Sequence, residues 1–343
     1  MGKNYAPVII PTLCRYEHFK RCVESLQRNP WAKYTDLYIG LDFPVKETHF
    51  DGYSKIKAYL DGGIDGFSNV VIIKHDRNMG SSGNAIALRK TVAEKYDRFI
   101  FSEDDNEFSA NYLEYMNKCL DKYEEDESIL AVSGYKYPVH SDSIKGTVFT
   151  SNVYFAAFGY GSWNRKIIKA CEEMTVELFC RKYKNLKFMN YFYKQGANQY
   201  CNFVKAMLGY IPGLIEDGKI APYDLTYGVY MAAQGKKMVF PTTSKVKNWG
   251  YDGSGEHCDS LIYDQEKPVT HRNFGTECQE LDENDGFEIV EENELSQQEI
   301  NDIVSKFFLI PNKEIVRTKA AYYLSRVIGI RNMKWLIGRV WKR

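Results

Sequence analysis

The sequence predicts an α/β protein with a doubly wound, mostly parallel sheet flanked by helices. Short apolar segments alternate with helical segments of roughly 10–15 residues through the first half of the chain, an order typical of such sheets. Two strand segments end in acids, namely Asp42 and the triplet Glu103-Asp104-Asp105, and a third opens into a glycine-rich turn at residues 78–84. Open α/β sheets bind ligands outside the carboxyl ends of their strands, so these ends predict a nucleotide-binding crevice.

The elements of the first half follow one another in regular order. Apolar runs predict five strands, at residues 5–10, 36–42, 69–74, 97–101 and 129–133. Apolar residues at helical spacing predict the helices between them, near residues 19–26, 53–60, 84–96 and 112–123. Residues 99–101 are apolar at consecutive positions, which is typical of a strand buried on both faces of a parallel sheet.

The second half is less regular and contains no internal repeat. Its predicted elements are a strand at 152–158, a helix that follows residue 163 and runs to about 174, a mostly helical aromatic segment at 183–210, a helix at 225–234 and a strand at 237–241. A glycine-rich loop at 248–257 ends in His257.

Composition divides the chain into three parts. The predicted parts are a main domain at 1–260 with halves 1–135 and 136–260, an acidic linker at 261–312, and a basic amphipathic C-terminal helix at 313–343. The last part carries nine Lys or Arg and one Glu. Its apolar residues are predicted on one side of the helix: Tyr323, Val327, Ile330, Met333, Ile337, Val340 and Trp341. Such a helix either lies on an anionic membrane surface or docks on the main domain or on a second subunit.

The overall composition excludes several classes of protein. Lys+Arg and Asp+Glu both number 45, so we expect no nucleic-acid binding. The eight cysteines include no C-x-x-C pair, which indicates a reducing compartment such as the cytoplasm and no structural zinc. We find no signal peptide and no apolar run of about 18 residues, so we expect no membrane-spanning segment.

The acid triplet has two readings. Three adjacent carboxylates repel one another, and Mg²⁺ or Mn²⁺ relieves that repulsion; the simpler reading is an acidic turn before the next helix. Residues 11–15 are Pro-Thr-Leu-Cys-Arg, so the first strand lacks a dinucleotide fingerprint, and no P-loop occurs. Gly80 and Gly83 either let the backbone approach a phosphate or form a plain turn.

Acids, a metal ion and a nucleotide together suit the transfer of a group from a diphosphate. The metal ion neutralises charge on the leaving phosphate. A hydroxyl group that attacks as the acceptor needs a general base, most simply a carboxylate.

The order of these motifs resembles the GT-A fold glycosyltransferases, near the family 2 type. The motifs are a strand with Pro11-Thr12, a strand with Asp42, Asn78-x-Gly-x-x-Gly-Asn84, and a strand with Glu103-Asp-Asp105. The triplet with Tyr112-x-x-Tyr115 and Ser133-Gly134 is similar to N-acetylglucosaminyltransferase I, and residues 218–257 resemble glycosyltransferases of bacterial polysaccharide loci. The resemblance covers roughly residues 5–258.

The resemblance implies a role for each acid. Asp105 would bind Mn²⁺ or Mg²⁺ on the donor diphosphate, Asp104 the ribose, Glu103 the transferred sugar, and Asp42 an N–H of the base. The whole implied donor site consists of Pro11, Thr12, Arg15, Asp42, Gly80, Asn84, Glu103 and Asp104. Each contact has a plain alternative as a loop residue that faces water.

The resemblance also implies the general base and a second metal ligand. Asp224 is the expected base, with Tyr223 where the resembled enzymes have Trp; capping the next helix is its alternative role, and Glu216 and Asp217 are reserves. His257 either completes the metal shell or hydrogen-bonds its own loop or a phosphate. Residues 159–163 form either a wall against a sugar ring or, through Trp163, part of the core.

The expected function is therefore metal-dependent, inverting transfer of a sugar from a nucleoside-diphosphate sugar, with UDP as the expected nucleotide. We expect a hexosyl- or N-acetylhexosaminyltransferase whose acceptor is a glycan or a lipid-linked saccharide. We expect it in the cytoplasm, on the inner face of the membrane if the C-terminal helix binds lipid, and as a homodimer if that helix binds a second subunit. A nucleotidyltransferase and a non-catalytic carbohydrate-binding protein are the alternatives.

Overall fold

A computed structural model describes residues 5–138, 142–209, 215–216, 219–222, 224–255 and 274–333. Its strands are β1 (Val8–Thr12), β2 (Asp36–Leu41), β3 (Asn69–Lys74), β4 (Arg98–Phe101), β5 (Asn106–Phe108), β6 (Ile129–Ser133), β7 (Val148–Ser151), β8 (Tyr160–Trp163), β9 (Ile215–Glu216), β10 (Lys219–Ile220), β11 (Lys237–Pro241) and β12 (Val246–Asn248). Its α-helices are α1 (Tyr16–Gln27), α2 (Phe50–Asp61), α3 (Gly80–Ala93), α4 (Tyr112–Lys122), α5 (Asn164–Glu173), α6 (Val176–Lys184), α7 (Leu186–Gln195), α8 (Ala197–Met207), α9 (Asp224–Gln234), α10 (Gln297–Ser305) and α11 (Asn312–Ile328).

Eight strands form one sheet in the order β3-β2-β1-β4-β8-β6-β11-β7. Strands β7 and β8 run antiparallel to the other six, and helices flank the sheet. The predicted doubly wound, mostly parallel α/β fold is confirmed. The sheet runs through both predicted halves of the main domain, because β6 and β11 are neighbours.

Apolar strands and helix faces form the core as their patterns predict. Val8, Ile9 and Ile10 on β1 are fully buried, as are Phe19, Cys22, Val23 and Leu26 of α1. Each side chain of this size contributes about 1.5–3 kcal/mol when it leaves water. The core therefore holds β1 and β4 side by side, and their carboxyl ends carry Thr12 and the acid triplet.

The strand predicted at 152–158 is wrong. The chain forms β7 just before this segment and β8 just after it, at residues 160–163, where we predicted no strand. Residues 153–156 are buried without joining the sheet, and Tyr154 stacks on Phe308 with ring centroids 3.5 Å apart. A loop buried by distant aromatic side chains shows the same apolar run as a strand, so pattern alone could not separate the two.

The described part of the predicted acidic linker, residues 274–312, packs against the main domain. Asp282 forms a buried ion pair with Lys245, and the backbone N–H of Thr147 donates to the carbonyl of Val290 over 2.8 Å. Ser296 and Glu299 form a capping box that starts α10. These residues differ from a free linker because basic and backbone groups of the main domain bind their acidic side chains and carbonyls.

Helix α11 docks on the main domain through Tyr322 and Ser325. The hydroxyl groups of Ser325 and Tyr183 lie 2.8 Å apart. Of the residues predicted to share one apolar face, Tyr323 and Val327 are exposed but Met333 is buried; residues 334–343 lie outside the described part. No helix in that part is both long and apolar enough to cross a membrane.

Candidate functional site

The acid triplet lies between two strands that hold it at both ends. The N–H of Ser102 donates to the carbonyl of Ile9 over 2.9 Å, which continues the pairing of β4 with β1. Directly after the triplet, β5 pairs antiparallel with β12. The backbone of the triplet is therefore fixed by a sheet on one side and by a two-stranded ribbon on the other.

Residues from the end of β1 bind two of the three acids. The Thr12 hydroxyl donates to Asp104 Oδ2 over 2.8 Å. The Arg15 guanidinium pairs with Asp104 and, over 2.8 Å, with Asp105 Oδ2. Burial raises the pKa of Asp104, and Arg15 and Thr12 oppose that rise. Four residues predicted to belong to one site are thus in direct contact.

Glu103 and Asp224 form the second half of the site. Glu103 is half-buried, and no described residue donates a hydrogen bond to its carboxylate. Burial, followed by repulsion from Asp105 and Asp224, raises the pKa of Glu103 to about 8. The structure therefore brings Asp224 from α9 close enough to the triplet for mutual repulsion.

Asp224 is exposed to water, yet the surrounding protein raises its pKa. It is the first residue of α9, and its side chain is exposed. Desolvation by the surrounding protein nevertheless raises its pKa to about 7. A carboxyl group with a pKa near neutrality can take up a proton at physiological pH.

The charges of both carboxyl groups act on Tyr160, at the start of β8. Burial raises its pKa to about 12; Arg89 lowers it, and Asp224 and Glu103 raise it. Trp163, at the other end of β8, is buried beneath Lys166, whose Nζ lies 3.8 Å from the ring centroid. Of the two interpretations of residues 159–163, the core position applies to Trp163.

Asp42, directly after β2, and Asn84, on α3, make contacts around the turn between β3 and α3. Asp42 Oδ1 accepts the N–H groups of Phe43 and Met79 over 2.9 and 2.8 Å. The Asn84 amide donates to the carbonyl of Gly40 over 2.8 Å, and its oxygen lies 3.0 Å from His75 Nε2. Both ends of the Asn84 side chain thus contact groups inside the fold, and its place in the donor site stays a prediction.

The other predicted donor contacts lie around this turn or outside the described residues. Pro11 is half-buried on β1 opposite Gly40, and Gly80 starts α3 with φ +70. Asp217, Tyr223 and His257 lie outside the described residues, as does the side chain of Glu216.

Asn248 and Gln279 are site residues whose contacts the sequence did not predict. Asn248 Nδ2 donates to Asp105 Oδ1 over 2.7 Å. Gln279 binds the backbone of Asn248 on both sides: its Oε1 accepts the N–H over 2.8 Å and its Nε2 donates to the carbonyl over 3.1 Å. Gln279 therefore pairs with β12 as a neighbouring strand would, and holds Asn248 against Asp105. The Asn-x-Gly turn at 248–250 was the available signal for Asn248; nothing in the acidic segment pointed to Gln279.

Comparisons with known proteins give only distant similarities. No protein family matches the sequence, and no curated protein matches it. Structural matches include S. aureus TarS 1–349, with 11% identity and TM-score 0.39 over 71% of this chain and 60% of that chain. Mannosyltransferase PcManGT from Pyrobaculum calidifontis, in complex with GDP-Man and Mn²⁺, has 12% identity and TM-score 0.36 over 48% of this chain and 46% of that chain.

The bifunctional glycosyltransferase WbbM has 12% identity and TM-score 0.29 over 48% of this chain and 32% of that chain. This chain thus spans less than two thirds of the length of each of these proteins. All three TM-scores are below 0.5, so the function proposed below rests on the residues of this chain.

The site suits a divalent cation in its charge and only in part in its arrangement. The carboxylates of Asp104 and Asp105 share one guanidinium, that of Arg15, and Glu103 adds a third carboxyl group next to them in the chain. Carboxylate oxygens are the ligands that Mg²⁺ and Mn²⁺ prefer. Within the described ranges, no three His, Cys, Asp or Glu side chains are already grouped to hold a metal ion. A cation at Asp105 would therefore have to replace the Arg15 contact.

Replacing Gln279 with Ala is expected to lower the free energy of unfolding by about 1–3 kcal/mol, because it leaves the buried N–H and carbonyl of Asn248 with fewer partners. Denaturant unfolding measures this change. The matched control is Gln234→Ala at the exposed end of α9, which should change stability little. Equal effects of the two substitutions would contradict a holding role for Gln279.

Proposed function

We propose that this protein is a GT-A type glycosyltransferase that moves a sugar from a nucleoside-diphosphate sugar to a hydroxyl group of a saccharide. One observation carries the proposal: desolvation raises the pKa of Asp224 to about 7, and the charge of Asp224 helps to raise the pKa of Glu103, which follows β4. A carboxyl group with a pKa near 7 suits a general base. The acids at the strand ends lie where α/β sheets bind ligands, which suits a donor site.

The reaction is an inverting single displacement. The acceptor hydroxyl oxygen attacks the anomeric carbon and forms the new glycosidic bond while the bond from that carbon to the donor phosphate oxygen breaks. The nucleoside diphosphate departs with the bonding electrons, and the hydroxyl proton passes to Asp224. The protein environment that raises the pKa of Asp224 makes its carboxylate a stronger base at neutral pH.

Donor binding is assigned to the acids and to the end of β1. Glu103 would hold the transferred sugar and Asp104 would hold the ribose. Asp42 would accept an N–H of the base through Oδ2, because Oδ2 accepts no hydrogen bond from the described residues. Asp105 would hold Mn²⁺ or Mg²⁺, which would neutralise charge on the leaving diphosphate. Arg15, which pairs with Asp104 and Asp105, lies where a guanidinium can also contact phosphate oxygens.

The finer assignments follow from the motif resemblance. They are a UDP-linked hexose or N-acetylhexosamine as donor, a glycan or lipid-linked saccharide as acceptor, and a cytoplasmic location. His257 stays the proposed second metal ligand. Dimerisation through the C-terminal helix stays the alternative to membrane contact.

A thermal-shift panel of UDP-, GDP- and dTDP-sugars, each with and without Mn²⁺, tests the proposal. A donor at about 100 times its Kd should stabilise the folded protein by roughly 2.7 kcal/mol. We expect one nucleotide class to act, more strongly with Mn²⁺, and the shift to be lost in Asp105→Ala.

The matched control for this panel is Asp51→Ala on α2, whose side chain is 80% exposed and which should respond as wild type does. Stabilisation by nucleoside triphosphates alone would favour a nucleotidyltransferase. No shift with any nucleotide would contradict the proposal.

A further inference from the structure

Helix α11 has one face that the main domain does not cover. Thr318, Tyr322 and Ser325 are buried against the protein. With 100° between successive helical residues, five apolar residues fall within one arc of about 100° on the opposite side. They are Val316, Ala320, Tyr323, Leu324 and Val327. We call these five residues the outer face.

The outer face is exposed to an unusual degree for apolar residues on a helix. Val327 is 83% exposed, Val316 66%, Tyr323 50% and Leu324 45%. A soluble helix normally turns such a row toward the core and polar residues toward water. Here the buried side includes Thr318 and Ser325, so the usual polarity of a surface helix is partly reversed.

Basic residues border the outer face. Arg317 lies at one edge, Lys319 and Arg326 lie at the other, and Lys313 and Arg331 lie beyond its two ends. The single acid among residues 313–343, Glu314, forms an ion pair with Lys205 of the main domain. The face is therefore apolar at its centre and positive at its border.

Exposed apolar and basic side chains also occur at the junction of α6 and α7, next to α11. The Arg326 guanidinium donates to the carbonyl of Lys184 at the end of α6, and Leu186 and Lys187 beside it are exposed. A cleft of about 280 Å³ lies between the two elements, lined by Tyr183, Lys184, Ser325, Arg326, Gly329 and Ile330. Positive side chains thus surround both the outer face and a cleft that an anionic group could enter.

We propose that the outer face binds the surface of an anionic lipid bilayer. Apolar side chains with a basic border are the arrangement that places a helix in a bilayer interface, where the side chains enter the acyl boundary and the cations contact lipid phosphates. Pairing this face with itself in a two-fold dimer would bring like charges together. This inference goes beyond the proposed glycosyl transfer and does not depend on it.

Vesicle flotation tests the proposal with the full-length protein. Wild type should float with vesicles of phosphatidylcholine and phosphatidylglycerol, much less with phosphatidylcholine alone, and less at high salt. The double substitution Val316→Asp with Val327→Asp should reduce the bound fraction at least tenfold, and so should Lys313→Glu with Arg331→Glu. The matched control Val45→Asp, at a position that is 62% exposed, should bind as wild type does.

Circular dichroism and binding of the donor nucleotide are read on the same variants, since neither should change if only the lipid surface is lost. Undiminished vesicle binding by both double variants would overturn the proposal. A second combination of results would also overturn it. In that case wild type binds no vesicles and is a dimer by light scattering, and Val316→Asp with Val327→Asp converts this dimer to a monomer. Failure of nucleotide binding with intact vesicle binding would contradict the proposed function alone.

Discussion

Replacing Asp224 with Asn is expected to lower kcat by about 10²–10⁴-fold, the usual contribution of a positioned general base. Donor binding should change little, because Asn keeps the size of the side chain and Asp224 is assigned to the acceptor proton. Initial rates of transfer and the Kd of the donor, measured on the same preparation, separate the two effects. An Asn variant that keeps its turnover would move the base to Glu216 or Asp217.

The pH dependence of the wild type follows from the same group. A base must be deprotonated to act, and the pKa of Asp224 is raised to about 7 by desolvation, so kcat should rise with pH through about 7. Glu103, whose pKa is raised to about 8 by burial and then by repulsion from Asp105 and Asp224, also titrates near this range. The rise should vanish in Asp224→Asn and persist in the exposed control Asp51→Asn. A wild-type profile without a rise between pH 6 and about 8 would contradict the assignment.

Replacing Arg15 with Ala is expected to lower the free energy of unfolding by about 3 kcal/mol. The substitution leaves the buried carboxylates of Asp104 and Asp105 without their cation, and breaking a buried pair by removing one partner is strongly destabilising. We expect the lower end of the range of about 3–5 kcal/mol for such losses, because the Arg15 side chain is 22% exposed to water. Urea unfolding at neutral pH measures the loss, and Arg15→Lys, which keeps a positive charge, should lose less.

The same variant tests the metal site. If Asp105 binds a divalent ion where Arg15 now lies, Mn²⁺ should stabilise Arg15→Ala more than it stabilises wild type, in the absence of any nucleotide. Electron paramagnetic resonance of free Mn²⁺ gives the affinity directly. Equal and weak Mn²⁺ binding by wild type and Arg15→Ala would remove Asp105 as a metal ligand and would leave Arg15 as the cation of the site.

Local patterns predicted most of the sheet. The strands at 69–74, 129–133 and 237–241 have the predicted bounds, and the strand at 36–42 ends one residue earlier. Buried strands are continuous apolar runs, so the sequence carries their signal directly. The acids at the ends of β2 and β4 could also be recognised from the sequence. Carboxylates that directly follow a buried apolar run do not belong to the apolar core, so they indicate a site.

Contacts between distant segments were not visible in those patterns. Arg15 binds acids about 90 residues away in the sequence, and Gln279 holds Asn248 across the acidic segment. Neither contact produces a periodic signal, because each depends on where two separately folded stretches meet. The antiparallel insertion of β8 between β4 and β6 is of the same kind.

For this protein, the amino-acid order alone determined the α/β class, the run of strands and helices in the first half, and the acids that end two strands. Only the folded chain decided that Arg15 pairs with two of those acids, that Asp224 acts on the charge of Glu103, and that the acidic segment packs on the main domain. The reason is that periodicity reflects burial of neighbouring residues, whereas charge pairing depends on distances between residues that folding brings together.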